Sequence, residues 1–254
     1  MRRRLEVTRH EEHGAYVVLT VADPDGAPPK AGQFYMLMAA ERWGGGEDER
    51  PFLPRAFSVL RARGGELDFM LEDVGPGTRR LCELRAGDDV WVLGPLGNGF
   101  APPRDGRRPL LVGGGVGTAP LAILQDQLGS AAVAMLGFRD ARHALGAHLL
   151  SRPRIATDDG SVGHHGYVTD LLRFELGCDA RAEVYACGPP LMLEAVRALC
   201  EEHGVPVQLA LESGMACGFG ACFGCVVETK AGYVRLCVDG PVLEGAELEA
   251  VHAH

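Results

Sequence analysis

The hydrophobic and polar positions change rhythm twice along the chain. Up to about residue 103 the apolar positions come in short runs: AYVVLTVAD, QFYMLMAA, AFSVLRA, ELDFMLEDV and DVWVLG, each ended by Gly, Pro or Asp. Such runs, with turn formers between them, predict five or six strands of a small antiparallel barrel. WGGGED, from Trp43 to Asp48, predicts a flexible surface loop, and APPRDGRRP, residues 101–109, predicts a linker.

The second rhythm is longer. PLLVGGG, AAVAMLGF and AEVYACG read as buried strands, while PLAILQDQLG and PPLMLEAVRALCEEHG carry helical spacing. Strands alternating with helices predict a parallel, doubly wound sheet that ends near Gly204. VPVQLALES predicts one last strand leading out. From Gly214 onward the chain is rich in Gly and Cys and too short to bury an apolar core of its own. A unit that small needs a metal to fold. The expected fold class is therefore β plus α/β in three parts. These are a barrel over 1–103, a nucleotide-binding α/β unit over 104–208 and a Cys-rich unit over 209–254.

Composition narrows the function classes. The chain has 254 residues, 46% of them hydrophobic, enough for a substantial core. A formal net charge of −9 repels phosphate backbones and argues against a nucleic-acid partner. The one basic cluster, Arg2-Arg3-Arg4, reads as a solvated terminus leading into a strand. No apolar run approaches the roughly 20 residues that span a bilayer, and MRRRLEVTRH lacks the apolar core of a signal peptide. The expectation is a cytoplasmic protein without a membrane partner. Four of the eight cysteines crowd between Cys217 and Cys237, which points to a bound metal or cluster rather than disulfides.

Those four carry the strongest signal. MACGFGACFGCVV and RLCVDGP give the spacing Cys217-x4-Cys222-x2-Cys225-x11-Cys237. The first three match the plant-type ferredoxin loop, which with a distant fourth Cys holds a [2Fe–2S] cluster. Gly218, Gly220 and Gly224 let such a loop turn tightly and aim backbone N–H groups at sulfur. Four thiolates also suit a structural zinc ion, but zinc knuckles favour paired C-x2-C units, and only one such pair exists here.

GGGVGTAP, residues 113–120, follows a buried strand and opens a helix. Gly113, Gly114, Gly115, Gly117 and Thr118 there can bring the backbone to a pyrophosphate at the helix start. The loop departs from G-x-G-x-x-G, because Pro120 takes the place of the third glycine; without a ligand it would be a tight βα turn. Arg55-Ala56-Phe57-Ser58 puts a cation, an aromatic and a hydroxyl on one barrel strand, a set that can serve a flavin. Gly75-Pro76-Gly77-Thr78 opens a short helix and offers a second anion site. Cys187-Gly188-Pro189 ends a parallel strand, where ligands gather; Cys187 suits either a nicotinamide pocket or a buried strand end. Thr157-Asp158-Asp159-Gly160-Ser161 is a polar loop that borders a dinucleotide or forms a plain turn. His164 and His165 read as exposed, and Cys82, Cys178 and Cys200 receive no role.

The order of these motifs resembles the ferredoxin–NADP reductase superfamily over essentially the whole chain. Within it, the tail is similar to the iron–sulfur electron-transfer subunit family of NAD-dependent dihydroorotate dehydrogenase. The resemblance implies FAD on the barrel, contacted by Arg55, Ala56, Phe57, Ser58, Met70, Leu71, Glu72, Gly77 and Thr78. It implies cluster ligation by Cys217, Cys222, Cys225 and Cys237. It places NAD on the 113–120 loop and near Cys187, Gly188 and Pro189. Many superfamily members carry Tyr where this chain has Phe57, so ring stacking is kept and a phenolic hydrogen bond is not. The resemblance further implies a separate FMN-containing catalytic subunit in a heterotetramer of two of each. Electrons would pass from its FMN through the cluster and FAD to NAD⁺ in pyrimidine (UMP) synthesis. No residue of this chain is expected to be catalytic in its own right. NAD and NADP stay open on residue chemistry: Asp140 would suit a ribose hydroxyl and Arg139 a 2′-phosphate. The resemblance points to NAD. Two other classes share part of the pattern, a flavin/iron–sulfur reductase subunit of a hydrogenase or ferredoxin:NADP oxidoreductase, and a non-enzymatic zinc-stabilised nucleotide-binding module.

Overall fold

A computed structural model describes residues 2–44, 51–104, 106–178 and 181–249. Of the loop expected from Trp43 to Asp48, residues 45–48 lie outside the described residues. Strands β1 (Arg2–His13), β2 (Tyr16–Ala22), β3 (Phe34–Ala39), β4 (Arg55–Arg63) and β5 (Glu66–Glu72) precede the short helix α1 (Pro76–Cys82), and β6 (Asp89–Leu96) follows it. The six strands close a barrel in the order β1-β2-β5-β4-β3-β6, with β1 pairing antiparallel to β6 at the seam. Register shifts at Val7/Arg9, Phe34/Met36 and Val59/Arg61 bend the strands enough to close it. Val7, Leu19, Tyr35, Leu37, Phe69 and Val92 fill the interior, none of them more than 1% exposed.

The second layer system runs through β7 (Arg108–Gly114), α2 (Thr118–Leu128), β8 (Val133–Phe138), α3 (Ala141–Ala144), β9 (Arg154–Thr157), β10 (His164–His165), α4 (Val168–Cys178), β11 (Ala182–Cys187), α5 (Pro190–Glu202) and β12 (Val207–Ala210). The strands from β10 to β12 pair in parallel in the order β10-β9-β8-β7-β11-β12. The order reverses at β7, so a crevice opens at the carboxyl ends of β7 and β11. The largely apolar composition of β7 and β11, broken within β11 by Glu183, follows from burial on both faces.

The tail forms a hairpin of β13 (Val226–Thr229) and β14 (Gly232–Arg235) and then β15 (Val242–Glu244). β15 adds antiparallel to the edge strand β12. Val227, Leu236 and Leu243 of the tail pack in one apolar cluster with Val207 and Leu209 of the sheet and Phe34 and Met36 of the barrel. The short tail thus borrows its core from both larger units.

Two polar contacts set how barrel and sheet meet. Arg61 reaches from β4 to Asp126 (2.8 Å) and to the Leu149 carbonyl (2.7 Å). In the linker, the Arg104 backbone N–H donates to Glu183 Oε2 (2.7 Å) and its guanidinium to Oε1 (2.5 Å). Glu183 is fully buried in β11 and also accepts from Gln208 (3.1 Å). No helix among the described residues is long and apolar enough to cross a membrane.

Candidate functional site

The cysteine loop is held by its own backbone. The Gly220 N–H points at Cys237 Sγ (3.1 Å), that of Gly224 at Cys222 Sγ (3.4 Å) and that of Cys237 at Cys225 Sγ (3.5 Å). Gly218 and Gly220 adopt φ of +78° and +85°, a region where a side chain is strained. A Cβ on Gly218 would also lie 2.6 Å from Met36 Cγ, so the loop rests directly on barrel strand β3. Burial opposes ionisation of Cys217, but N–H groups of Phe219, Cys222 and Ala221 and the Cys222 thiol outweigh it, and the pKa falls to about 6. Burial, reinforced by the neighbouring Cys225, pushes Cys237 to about 12. Cys217 thus interacts with the Cys222 thiol, and Cys237 with the thiols of both Cys225 and Cys217. Among the described residues no three His, Cys, Asp or Glu side chains converge on one metal ion. Three cysteines at the plant-type spacing, a distant fourth and backbone N–H groups aimed at sulfur fit a two-iron cluster, which shares four thiolates between two metals.

The crevice at the sheet's switch point is a cleft of about 720 Å³. One wall is the glycine loop: Gly114, Gly115, Val116 and Gly117 line it, with Gly188 and Pro189 beside them. Gly117 is required by contact, since a Cβ there would lie 2.3 Å from the Cys187 carbonyl oxygen. At the start of α2, Thr118 Oγ1 is buried and, among the described residues, has no hydrogen-bond partner. Thr118 is fully buried and does not line the cleft, so the fit to a phosphate rests on the glycine-loop backbone at the helix start. Gly113 faces the sheet interior, where a Cβ would meet Leu136 at 2.7 Å. Cys187 is 1% exposed and burial raises its thiol pKa well above the ordinary value, so it meets the cleft only through its neighbours.

The two barrel motifs, 22 residues apart in sequence, come together. A Cβ on Gly77 would lie 2.5 Å from Arg55 Nε, so the guanidinium lies on the backbone at the start of α1. Arg55 Nη1 also donates to the Leu53 carbonyl (2.6 Å). The Thr78 hydroxyl donates to the Gly75 carbonyl (3.0 Å) and accepts from the N–H groups of Val74 (2.9 Å) and Gly75 (3.0 Å). Phe57 and Ser58 are half-buried and Ala56 is exposed, which leaves this edge of β4 open to a planar ligand. Met70 and Leu71 are both buried, Leu71 sharing the inward face with Phe69, Met70 on the outward face against Gly146, and they can offer a ligand only their backbone. Glu72 turns toward the sheet, where Oε1 meets His143 Nε2 (3.3 Å) and Arg139 (3.8 Å).

Residue patterns alone gave no role to several side chains that line the cleft. Tyr16 and His143 form its second wall, and Tyr167 and Glu212 stand at its rim. Glu212 directly precedes the cysteine loop; the desolvating walls around it raise its pKa. Its place next to MACGFGAC was the one available signal. Asp158, from the polar loop after β9, also lines the cleft, as does Arg139. Asp140 is held below the ordinary carboxylate range by hydrogen bonds from His143. His164 and His165 are exposed, with His164 against Asp170 (3.1 Å).

A flavin-type barrel, a switch-point cleft with a glycine loop and a cysteine loop seated between them define a class: reductases of the ferredoxin–NADP reductase fold. The NADH-dependent reduced ferredoxin–NADP oxidoreductase structure matches with a TM-score of 0.82 and 25% identity, over 97% of this chain and 90% of that one. A ferredoxin NADP⁺ reductase from Neisseria gonorrhoeae shares the fold at a TM-score of 0.65 and 18% identity, over 80% of this chain and 92% of that one. Residues 212–249 match the family model for the iron-sulfur cluster binding domain of dihydroorotate dehydrogenase B. The dihydroorotate dehydrogenase B (NAD(+)) electron transfer subunit of Clostridium acetobutylicum is 38% identical over 222 residues, 86% of each chain. That of Geobacillus kaustophilus is 41% identical over 214 residues, 78% of this chain and 80% of the relative. The chain belongs to this family of electron transfer subunits. The domain match and the reductase fold support a cofactor set of a 2Fe–2S cluster, FAD and NAD, and with it an oxidoreductase role.

Proposed function

We propose that this chain is the cytoplasmic electron-transfer component that links an FMN-containing dihydroorotate dehydrogenase catalytic subunit to NAD(H) in pyrimidine synthesis, two copies of each forming the complex. The observation that carries the reading is the seat of the cysteine loop, Gly218 against Met36 on the flavin-type barrel. When bound, the flavin exchanges a hydride with nicotinamide and the cluster moves electrons singly, so together they convert between two-electron and one-electron chemistry.

The chain's own residues position these groups. Cys217, Cys222, Cys225 and Cys237 would hold the cluster. Arg55, on the open start of α1, would neutralise the flavin pyrophosphate, with Ala56, Phe57, Ser58, the backbone of residues 70–72, Gly77 and Thr78 along the flavin edge. The loop from Gly113 to Thr118 would take the dinucleotide pyrophosphate, with Gly188 and Pro189 flooring the nicotinamide end and Cys187 supporting them from beneath. Asp158 in the cleft suits a ribose hydroxyl while Arg139 beside it suits a 2′-phosphate, so the reading of NAD rests on the family. Phe219 and Phe223 flank Cys222 and stand 62% and 63% exposed, an apolar rim suited to a protein partner. We assign the three functional units to 1–103, 104–208 and 209–254.

The test is reconstitution. The purified chain should contain flavin, iron and sulfide and reduce an artificial acceptor with NADH. Dihydroorotate oxidation should appear only when the catalytic subunit is added. A zinc-containing, flavin-free chain, or an inactive reconstituted pair, would overturn the reading.

A further inference from the structure

Three side chains form a bridge between barrel and sheet beside the cleft. Glu72 ends β5 on the barrel; His143 lies in α3 and Asp140 just before it, on the sheet side. His143 Nε2 faces Glu72 Oε1 at 3.3 Å, and Nδ1 faces Asp140 Oδ1 at 2.7 Å. Asp140 also accepts the His143 backbone N–H (3.0 Å), so its carboxylate caps α3 and fixes the ring at the same time. The ring is 9% exposed and packs edge-on against Tyr16, centroids 5.8 Å apart.

The surroundings leave this bridge little play. Gly146 lies where a Cβ would come within 2.9 Å of both Met70 and Tyr16, and the Ala15 N–H donates to the Arg142 carbonyl (3.3 Å). The segment after β8 is thus pressed onto β2 and β5. Glu72, Tyr16 and His143 line the cleft opposite Gly115 and Gly117. The bridge thus stands between the barrel, where flavin would lie, and the sheet unit whose loop would hold the dinucleotide.

We propose that Glu72, His143 and Asp140 form a pin between the two units that sets the width of the nicotinamide cleft, making Glu72 and His143 positioning residues for hydride transfer. The pin rests on the cleft reading above. Hydride transfer is steep in distance, so a bridge that fixes the register of two units already joined by a shared apolar core contributes to rate through positioning.

The test uses the full flavin-loaded chain as wild type, His143→Phe, Glu72→Ala and the double variant. Phe keeps a ring against Tyr16 and removes the ring's polar contacts with Asp140 and Glu72. Without dinucleotide, amide exchange at Ala15 should quicken about tenfold or more in each variant, because its acceptor lies across the loosened interface. Single-turnover flavin reduction by NADH should fall about 10- to 100-fold. The flavin–nicotinamide charge-transfer absorbance should weaken, and ADP-ribose affinity should stay within about twofold, because the adenosine half is bound elsewhere. The double variant should be no worse than the poorer single one. The pin is overturned if exchange or turnover stays at wild type, if the losses add, or if ADP-ribose affinity falls with the rate. Loss of flavin from Glu72→Ala alone would also overturn it and make Glu72 a flavin contact. Wild type that NADH fails to reduce would instead overturn the cleft reading, and the exchange result would then judge the bridge.

Discussion

The cysteine loop and the switch-point cleft, the two proposed seats for electron carriers, are built in opposite ways. The loop brings three of the four proposed ligands from nine consecutive residues, Cys217 to Cys225, and aims its own N–H groups at sulfur. The cleft has walls from the barrel, the glycine loop and the segment after β8, brought together only by folding. Thiolate ligation is short-ranged and directional, so one loop can complete it. A dinucleotide is long and must meet a second ligand face to face, so its site has to lie between units.

The contrast gives each end its own lesion. Cys222→Ala removes a cluster thiolate and should abolish partner-dependent dihydroorotate turnover, with loss of iron and sulfide, while NADH diaphorase activity stays largely intact. Iron and acceptor assays on the same preparation check this, and full turnover with the partner would show that the two ends are not in series. Gly117→Ala is the mirror lesion. Its methyl would meet backbone, Cys187 O at 2.3 Å and Gly188 N at 2.6 Å, and the glycine loop must shift. Diaphorase activity should drop about 100-fold with cluster content unchanged.

Arg104→Ala lies outside both ends. It takes the guanidinium from buried Glu183, which keeps the Arg104 backbone N–H and Gln208. Denaturant unfolding should show about 2 kcal/mol lost, with both activities falling together only as the protein unfolds. The smallest effect is expected at the rim. Phe219→Ala and Phe223→Ala should each weaken partner binding by about 1–2 kcal/mol in a titration with the catalytic subunit. Diaphorase activity should not change. Equal binding by both variants and wild type would move the docking face elsewhere.

The sequence by itself determined the parts whose chemistry is local. Five short apolar runs with turn residues read as a barrel of five or six strands, and alternating apolar runs and helical spacing read as the sheet. The Cys217–Cys222–Cys225–Cys237 spacing read as a cluster, because a loop that wraps two irons needs its thiolates at fixed intervals. Residues 113–118 read as a phosphate loop for the same local reason. What pairs with what was not legible. That Arg55 lies on Gly77, that Glu72 turns from the flavin edge to His143, and that Tyr16 closes the cleft depend on strand register and on how sheet meets barrel. The tail was read as a unit stapled by its metal. The fold shows it also leaning on its neighbours, with β15 on the sheet edge and Val227, Leu236 and Leu243 in a shared core. Apolar burial carries no address in sequence: a short segment announces that it needs a core, and only tertiary packing decides whose core it joins.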